Sequence, residues 1–380
     1  MTYRVLMTCG AFEPGFRGGG PVRSMTRIVD TLPERVDAVL VTRDRDHGVP
    51  QPYPGLSGRW VPRDRTRIFY LDTRAPRHWL RLWRDLRGTR FDLLYVNSFF
   101  SPLFTLAPLL AARCRLVRAG RILIAPRGEL SPGALSLKAA KKRLFVRLWG
   151  GAFRRAGVLW HASTVDEAAE IRAVYPWAQV RIGLNQTALP PEPLAPRPGT
   201  RTLRLVFVGR IAAKKNLLLV LEALRGVDAP AELDVFGPVE DRAYWSACER
   251  AIGSLGANVT VRYRGELPPA EVRGTFARYD VFVLPTLGEN FGHVIAESLS
   301  ASCPVVCSDR TPWSGVLRAG GGTVLHGGGA AELRTEIVRW AVLTPGERLR
   351  ERERAGAAYR EWRAGVSGAN ILDQLSEEQR

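Results

Sequence analysis

DVFVLPTLGENFGHVIAESLSASCPVVCSD, residues 280–309, is the stretch that decides the fold. Its apolar run 281–284 is typical of a buried strand and stops at Pro285. A loop follows, and we expect a helix to begin near Phe291 or Gly292 and a second strand to occupy 304–307. A strand, a helix and a further strand in this order predict parallel strands covered by helices.

The same alternation of short apolar runs and longer helical segments continues through both halves of the 380-residue chain. The runs are rich in Val, Ile, Leu, Phe and Tyr, which favour strands. They cover 3–7, 37–41, 67–71, 92–96, 121–125, 158–161 and 180–182, then 203–208, 233–236, 259–263, 281–284, 304–307 and 323–325. Two such series, in a chain too long for one ordinary core, predict two doubly wound α/β domains.

Five prolines between 190 and 198 interrupt this pattern, because such a segment can neither pair in a sheet nor continue a helix. We therefore predict a first domain over residues 1–185, a linker over 186–200 and a second domain over 201–355. The remaining residues, 356–380, are predicted to form a charged helical tail that packs back onto the first domain.

The charge of the chain is uneven. The formal net charge is +18, from 55 Lys and Arg against 37 Asp and Glu. Residues 1–185 hold 31 basic and 14 acidic residues, net +17, whereas residues 186–380 hold 24 and 23, net +1. The excess favours an anionic partner for the first half: nucleic acid, an anionic membrane surface or an acidic substrate. A hydrophobic content of 46% excludes wholesale disorder.

Cysteine use and the N-terminal sequence predict a cytoplasmic protein. The five cysteines are scattered without zinc-site spacing, and the first residues lack the long apolar core of a signal peptide. The longest uncharged run, 93–112, nearly reaches the length of a membrane span. Because Pro102 and Pro108 interrupt it, we interpret it as a strand, a loop and a core helix.

Two glutamates with seven residues between them follow the strand 281–284. Glu289 lies in the loop and Glu297 in the body of the helix, so both are near the carboxyl end of a strand, where ligands of open α/β sheets bind. The pair is suited to grip hydroxyl groups of one extended ligand. The plainer interpretation is that Glu289 is a solvated loop acid and Glu297 a helix surface charge. The flanking Phe291 and Gly292 make the ligand-binding interpretation of the pair more specific.

A pair of cations marks the start of the second domain. The strand 203–208 ends before Gly209, and Arg210 and Lys215 flank the start of the next helix. Two cations beside free backbone N–H groups suit a diphosphate. The alternative, two exposed basic residues, is disfavoured because a helix N-terminus repels cations unless an anion is present.

These two constellations together resemble the motifs of family-4 retaining glycosyltransferases of the GT-B fold, in which two Rossmann-like domains face a cleft. The resemblance is strongest over 203–325. It rests on Gly209-Arg210-Ile211, Lys215, Asp280, Pro285, Glu289, Phe291-Gly292, Glu297 and Pro304-Val305-Val306. One departure is Ser302, where the family usually has Gly.

The resemblance implies a hexosyltransferase whose second domain binds a nucleotide diphosphate sugar, with UDP or GDP as the expected nucleotide, and whose first domain binds the acceptor. It assigns catalysis to Glu289, Arg210 and Lys215, with Glu289 orienting the sugar and the two cations holding the departing diphosphate. It assigns donor contacts to Glu297, Asn290, Phe291, Gly292, Gly19 and Gly20. Neither a metal nor a prosthetic group is expected, and retention is expected to proceed without a side-chain general base.

Candidate acceptor-side residues lie in the first half. Arg127 and Glu129 follow a predicted strand at a place where some family members carry a His, and His161 closes another strand. A lone His at a strand end is more often a structural hydrogen-bonding residue. We expect the acceptor to be anionic or lipid-linked, given the +17 charge of this half.

The segment 134–155 combines cations with an apolar stripe. Basic amphipathic helices bind anionic membranes, so peripheral contact with the inner face of the membrane is one interpretation. The other is a helix with its stripe in the core and solvated cations outside.

Three alternatives to this interpretation remain. Asp44 and Asp46 follow a strand as an acid-x-acid pair, which binds a metal in the other main glycosyltransferase fold, although Arg43, Arg45 and His47 oppose metal binding. A nucleotide-sugar 2-epimerase shares the two-domain architecture. A nucleic-acid-binding protein would explain the charge, but the sequence contains no recognised nucleic-acid module, so specific nucleic-acid binding is not expected.

Overall fold

The computed structural model describes residues 2–136, 139–184, 188–327, 329–366 and 369–378. The chain divides into two compact units, Met1–Thr187 with Ser367–Arg380, and Ala188–Val366. Each unit is built on a predominantly parallel sheet, so the predicted α/β fold with two doubly wound domains is confirmed. Lys138 and parts of the predicted linker (186–187) and tail (367–368 and 379–380) lie outside the described residues.

The first unit contains an eight-stranded sheet in the order β3-β4-β2-β1-β5-β6-β7-β8. Its strands are β1 Tyr3–Cys9, β2 Val36–Arg43, β3 Trp60–Arg63, β4 Thr66–Leu71, β5 Arg90–Asn97, β6 Arg118–Ala125, β7 Leu159–Ala162 and β8 Gln179–Ile182. All neighbours are parallel except β3, which pairs antiparallel with β4 at the edge. The predicted strands did not include β3, which contains Pro62; an edge position tolerates proline, since one side of the strand needs no ladder partner.

Helices cover both faces of this sheet. They are α1 Gly20–Asp30, α2 Pro76–Leu86, α3 Ala107–Arg113, α4 Pro132–Ser136, α5 Ala139–Arg155, α6 Val165–Val174 and, from the end of the chain, α14 Ile371–Glu377. Helices α2, α3, α5 and α6 contribute Leu82, Leu109, Phe153 and Ile171 to one core. Helices α1 and α14 pack on the opposite face.

The second unit contains a six-stranded parallel sheet in the order β11-β10-β9-β12-β13-β14. Its strands are β9 Leu203–Val208, β10 Ala231–Phe236, β11 Val259–Tyr263, β12 Val281–Leu284, β13 Val305–Ser308 and β14 Gly322–Leu325. Its helices are α7 Leu217–Leu224, α8 Arg242–Ile252, α9 Pro269–Phe276, α10 His293–Ser300, the single turn α11 Ser314–Val316, α12 Ala330–Val342 and α13 Pro345–Gly365. The predicted tail boundary at 356 falls inside α13, and the proline-rich segment from 188 groups with this unit.

Buried arginines attach α13 to the sheet of the second unit. Arg348, 1% exposed, donates to the carbonyls of Trp340 and Ala341 and lies 3.4 Å from the Asp280 carboxylate. Arg352 donates to the carbonyl of Ser302 and to two further carbonyls. Burying charged side chains is costly unless they are paired, so these contacts fix one position for the helix. Among the described residues, none of the helices has the length and apolar character needed to cross a membrane.

Candidate functional site

The carboxyl ends of β9 and β12, which are neighbours in the second sheet, bring a cation and a carboxylate together. Lys215 ends a short helical turn, Ala213–Lys215, just after β9, and Glu289 lies in the loop after β12. The Lys215 Nζ donates to Glu289 Oε1 at 2.5 Å, and the two side chains are 14% and 11% exposed. Two residues that are 74 positions apart in the sequence therefore form one ion pair.

The charge state of Glu289 follows from this contact. Burial raises its pKa, but the Lys215 charge and hydrogen bonds from Lys215 and Thr286 outweigh burial, so the net pKa lies below the ordinary value. The carboxylate is therefore ionised at neutral pH. An ionised carboxylate accepts hydrogen bonds from hydroxyl groups but cannot act as a general acid.

The loop that carries Glu289 is held from both sides. The Leu287 N–H donates to the Lys214 carbonyl at 2.8 Å, and the Glu289 N–H donates to the Arg310 carbonyl at 3.0 Å. The Trp313 indole N–H donates to the carbonyl of Phe291. These contacts fix the backbone around Glu289, which a site needs for a defined geometry.

Thr286 belongs to the candidate site by its contacts and was not identified from the sequence. Its hydroxyl lies 3.0 Å from Glu289 Oε1 and 3.1 Å from the Lys214 carbonyl, so it bridges the loop and the turn that carries Lys215. The Ser308 hydroxyl donates to the Thr286 carbonyl at 2.5 Å. The sequence signal that could have identified Thr286 is its place as a polar residue directly after a buried strand and the proline that ends the strand.

Arg210 lies close to the turn but is not part of the Lys215–Glu289 pair. Its guanidinium contacts Glu240 Oε2 at 2.6 Å, and the two side chains are 42% and 40% exposed. The strand ends pack closely here: Gly237 has a φ of +136°, and a Cβ at this position would overlap the Gly209 carbonyl. Glu240 was not anticipated from the sequence.

Helix α10 begins where the sequence predicted, within one residue. Gly292 precedes its first residue with a φ of +79°, a conformation that favours glycine. Glu297 lies in the body of the helix and is 9% exposed, whereas Asn290 and Phe291 are partly exposed in the loop. The structure therefore places these residues on one loop–helix segment that follows β12.

Asp280, which belongs to the motifs that resemble the family, and Ser302, which departs from them, both have structural roles. The Asp280 carboxylate accepts from the Arg204 N–H at 2.9 Å, and burial raises its pKa. Ser302 adopts a φ of +52° and its hydroxyl donates to the Leu194 carbonyl at 2.6 Å. The positive φ gives a physical reason why glycine is usual at this position.

In the first unit, the three consecutive glycines Gly18, Gly19 and Gly20 lie at the start of α1. Gly19 has a φ of +66° and Gly20 is the first residue of the helix. The Asp46 carboxylate accepts from the N–H groups of Phe16 and Arg17 at 2.8 and 3.2 Å, which shapes the chain ahead of the glycines. Asp46 therefore anchors a loop.

A buried chain of hydrogen bonds connects Arg127 to His161. Arg127 Nη2 donates to the Tyr95 hydroxyl at 2.8 Å, and that hydroxyl lies 2.6 Å from His161 Nδ1. His161 Nε2 lies 2.9 Å from the Gly183 carbonyl. Burial, and then the Arg127 charge, lower the His161 pKa to about 3, so the ring is neutral. Its proton must lie on Nε2, facing the carbonyl, and the Tyr95 hydroxyl donates to Nδ1.

His161 is therefore an internal residue, 2% exposed, that orients Tyr95 and, through the Tyr95 hydroxyl, Arg127. Arg127 is also held by Asn97 Oδ1, which accepts from Nη2 at 2.8 Å. Glu129 accepts from the N–H groups of Phe99 and Phe100 and stabilises the loop after β5. The sequence missed Tyr95 and Asn97, since both belong to an apolar strand pattern.

The structure does not support a metal at Asp44 and Asp46. Asp44 is fully buried, pairs with Arg45 at 2.8 Å and accepts from the Ser57 hydroxyl at 2.6 Å. Both carboxylates are therefore occupied by protein donors. Within the described part of the chain, no group of three or more His, Cys, Asp or Glu side chains is arranged to hold a metal ion.

Comparison with known proteins connects the second unit to a glycosyltransferase family. Residues 196–362 match the model of the family Glycosyl transferases group 1. The phosphatidyl-myo-inositol mannosyltransferase of Mycobacterium leprae is 29% identical over 221 residues, which cover 53% of this chain and 56% of that protein. The O-antigen chain mannosyltransferase B of Escherichia coli is 29% identical over 112 residues, 28% of each chain. The chain thus spans little more than half the length of the first of these relatives.

Solved structures resemble the whole chain. HepE of Anabaena, solved in complex with UDP and glucose, aligns over 99% of both chains with a TM-score of 0.71 and 15% identity. The sucrose-phosphate synthase of Thermosynechococcus elongatus aligns over 99% of both chains with a TM-score of 0.68 and 17% identity. At such identities the likeness shows a shared fold, and the predicted GT-B fold is confirmed.

Proposed function

We propose that the chain is a retaining glycosyltransferase of family 4 that transfers a hexosyl group from a nucleotide diphosphate sugar to an acceptor hydroxyl. The observation that carries this proposal is the ion pair between Lys215 and Glu289, 2.5 Å, at the carboxyl ends of neighbouring strands. It lies inside the region that matches the group 1 glycosyltransferases. UDP or GDP is the nucleotide we expect, and HepE, which shares the fold, binds UDP and glucose in its crystal structure.

In this proposal the second unit binds the donor and stabilises the leaving group. Lys215 has three N–H donors and gives one to Glu289, so the others are suited to the diphosphate. Arg210 reaches the same diphosphate by exchanging its contact with Glu240. The backbone N–H groups at Phe291 and Gly292, at the N-terminus of α10, add electrostatic stabilisation.

The remaining donor contacts follow from the resemblance to the family-4 glycosyltransferases. Glu289, ionised and held rigidly, accepts hydrogen bonds from the sugar hydroxyls. Glu297 binds the ribose of the donor, and Asn290, Gly19 and Gly20 are further residues assigned to donor contacts.

The bond changes balance without a metal or a side-chain base. The bond from the anomeric carbon to the diphosphate oxygen breaks, and the bond to the acceptor oxygen forms on the same face. The acceptor proton passes to the leaving diphosphate. Lys215, Arg210 and the helix dipole then replace the charge that a metal supplies in other folds.

On the acceptor side, Arg127 is the group we assign to substrate contact. Tyr95 and His161 position it through their hydrogen bonds, and Glu129 holds the loop after β5. The +17 charge of residues 1–185 supports an anionic or lipid-linked acceptor on the cytoplasmic side of a membrane, with contact through residues 134–155.

The test begins with thermal-shift measurements against UDP, GDP, dTDP and ADP sugars. With the stabilising donor, nucleoside diphosphate release is then measured for the wild type and for Lys215→Ala and Glu289→Ala, with circular dichroism to show that the variants are folded. We expect each variant to lose about 99% of turnover or more, since removing one preorganised donor costs about 10²–10³ in kcat. Arg350→Ala, on the exposed side of α13, is the control.

Two outcomes would contradict the proposal. Full turnover by either variant would remove the assigned site. An isomerised sugar formed from the donor without any acceptor would identify an epimerase instead. If transfer is confirmed, the configuration at the anomeric carbon of the product, determined by NMR coupling constants, decides between retention and inversion.

A further inference from the structure

The apolar residues of α5 divide between two sides of the helix. Phe145, Trp149 and Phe153 face the core beneath the helix, and their rings contact one another. Leu144 and Leu148, one turn apart, are instead 58% and 66% exposed. Single exposed leucines are common on protein surfaces, but two adjacent ones on the outer side of a core helix are not explained by packing.

The exposed leucines of α5 lie in a cationic setting. The seventeen residues of the helix include six Lys and Arg and no acid. Lys141, Arg143 and Arg147 are exposed beside the leucines, and Arg154 and Arg155 continue the charge at the C-terminal end.

Helix α2 repeats this combination. Leu80 and Trp83, three residues apart, are 63% and 38% exposed. Arg77, Arg81 and Arg84 are exposed on the same helix, and Asp85 is its single acid. Just past its end, the guanidinium of Arg87 lies 5.2 Å from the centre of the Trp83 ring.

Helix α3, which lies between these two in the chain, carries the same pattern. Leu110 is 47% exposed, and Arg113 is exposed at the end of the helix. Leu116, which follows, is 53% exposed. Because α2, α3 and α5 all pack against the same face of the first sheet, their outer sides point away from that face together.

We propose that the outer sides of α2, α3 and α5 form one docking face for an anionic membrane surface. Dispersed leucines and a tryptophan, each flanked by arginine or lysine, suit shallow insertion between headgroups, where the cations meet lipid phosphates. The charge complements an anionic bilayer, since residues 1–185 carry net +17. The face extends the contact proposed for residues 134–155 to two helices outside that segment, and it does not depend on donor chemistry.

The experiment is co-sedimentation of the full chain with vesicles of phosphatidylglycerol and phosphatidylcholine in equal parts, compared with phosphatidylcholine alone. We expect partition to the anionic vesicles that weakens with salt. The double variant Arg143→Gln and Arg147→Gln should bind about 25-fold more weakly, because each cation near an anionic surface contributes about fivefold. The matched control is Arg350→Gln with Arg354→Gln, two exposed arginines of the second unit.

Insertion is tested by Leu144→Ser with Leu148→Ser, for which we expect about tenfold weaker partition or more. Val342→Ser, at a position 72% exposed in the second unit, is the matched apolar control and should not change partition. Equal binding of the wild type to both kinds of vesicle, or unchanged binding by the leucine variant, would overturn the proposal. A shift from dimer to monomer in the leucine variant without any vesicle binding would also overturn it, since a second copy of the chain would then be the occupant.

Donor binding, measured by thermal shift, should be unchanged in all four of these variants. A variant that loses vesicle binding but still binds the donor therefore tests the membrane face alone. A failure of the proposed transferase activity would show in donor binding and turnover instead.

Discussion

Replacing Lys215 with methionine removes the charge from the Lys215–Glu289 pair and keeps most of the side-chain volume. The pair has a separation of 2.5 Å and side chains that are 14% and 11% exposed, so solvent can only partly compensate for the loss. Removing one partner of a buried pair costs about 3–5 kcal/mol because the other charge remains buried. With this residual exposure we expect Lys215→Met to lower the free energy of unfolding of the second unit by about 3 kcal/mol.

The double-mutant cycle makes this expectation specific. Glu289→Gln removes the acceptor charge but keeps an amide oxygen near Lys215 and Thr286, so it should cost about 2 kcal/mol. The double variant leaves no unpaired charge and should also cost about 2 kcal/mol, giving a coupling energy of about 3 kcal/mol. Hydrogen exchange of amides in β12 and β13, followed by mass spectrometry, measures these differences within the second unit.

The pH dependence has a defined sign. The folded pKa of Glu289 lies below its unfolded value, so its stabilising contribution is present above about pH 4.3 and is lost as pH falls through the folded value. In Lys215→Met the lysine charge is absent, so burial raises the pKa of Glu289 above its ordinary value. The stability difference between wild type and variant should therefore narrow from about pH 7 to about pH 4. A stability difference below about 1 kcal/mol at neutral pH, or one that does not narrow, would show that the ion pair does not stabilise the second unit.

Three further predictions concern other parts of the molecule. Arg352→Met should destabilise the second unit by about 3 kcal/mol, since the Arg352 guanidinium donates to three carbonyls. The measurement is hydrogen exchange, and the exposed Arg354→Met, as the control, should destabilise the unit by less than about 0.5 kcal/mol. The ring of His161 should stay neutral from about pH 8 to about pH 5 in NMR titration, and stability should fall as pH drops below about 6.5, because the folded pKa of about 3 lies below the unfolded one; titration near pH 6.5 would contradict this. Chelator should leave transferase activity unchanged; complete loss with rescue by manganese would revive a metal at Asp44 and Asp46.

The architecture was predictable because its signal is local. Short apolar runs separated by helical segments suffice for two parallel sheets, and the bounds of β9, β11 and β12 agree with the sequence prediction. The start of α10 was set by Gly292, whose positive φ marks the turn. Strand β3 was missed because its pairing depends on the neighbouring β4 and on an edge position, which composition does not reveal.

The residues of the candidate site could be identified from the sequence, but their pairing could not. Lys215 and Glu289 were identified from separate motifs, yet their contact across 74 residues depends on the adjacency of β9 and β12. Arg210 has the same sequence signal as Lys215 but contacts Glu240 instead. His161 shows the opposite case: a polar residue at a strand end that the fold buries to hold Tyr95.

The outward side of α5 was also beyond the sequence. Leu144, Phe145, Leu148 and Trp149 all fit an apolar stripe, and only the position of the helix on the sheet decides which of them are exposed. An amphipathic pattern gives a direction relative to the helix axis, whereas exposure depends on the curvature and neighbours of the face beneath it.

Calorimetric titration of the folded protein tests whether Lys215 and Glu289 form a site for a nucleotide diphosphate sugar. With UDP and GDP as ligands, we expect one of the two to bind the wild type at one site per chain. Lys215→Ala should weaken that binding about tenfold to a hundredfold, as the loss of a charge-assisted contact predicts. Arg350→Ala should bind like the wild type. Equal affinity of the wild type and Lys215→Ala for the nucleotide would contradict the account.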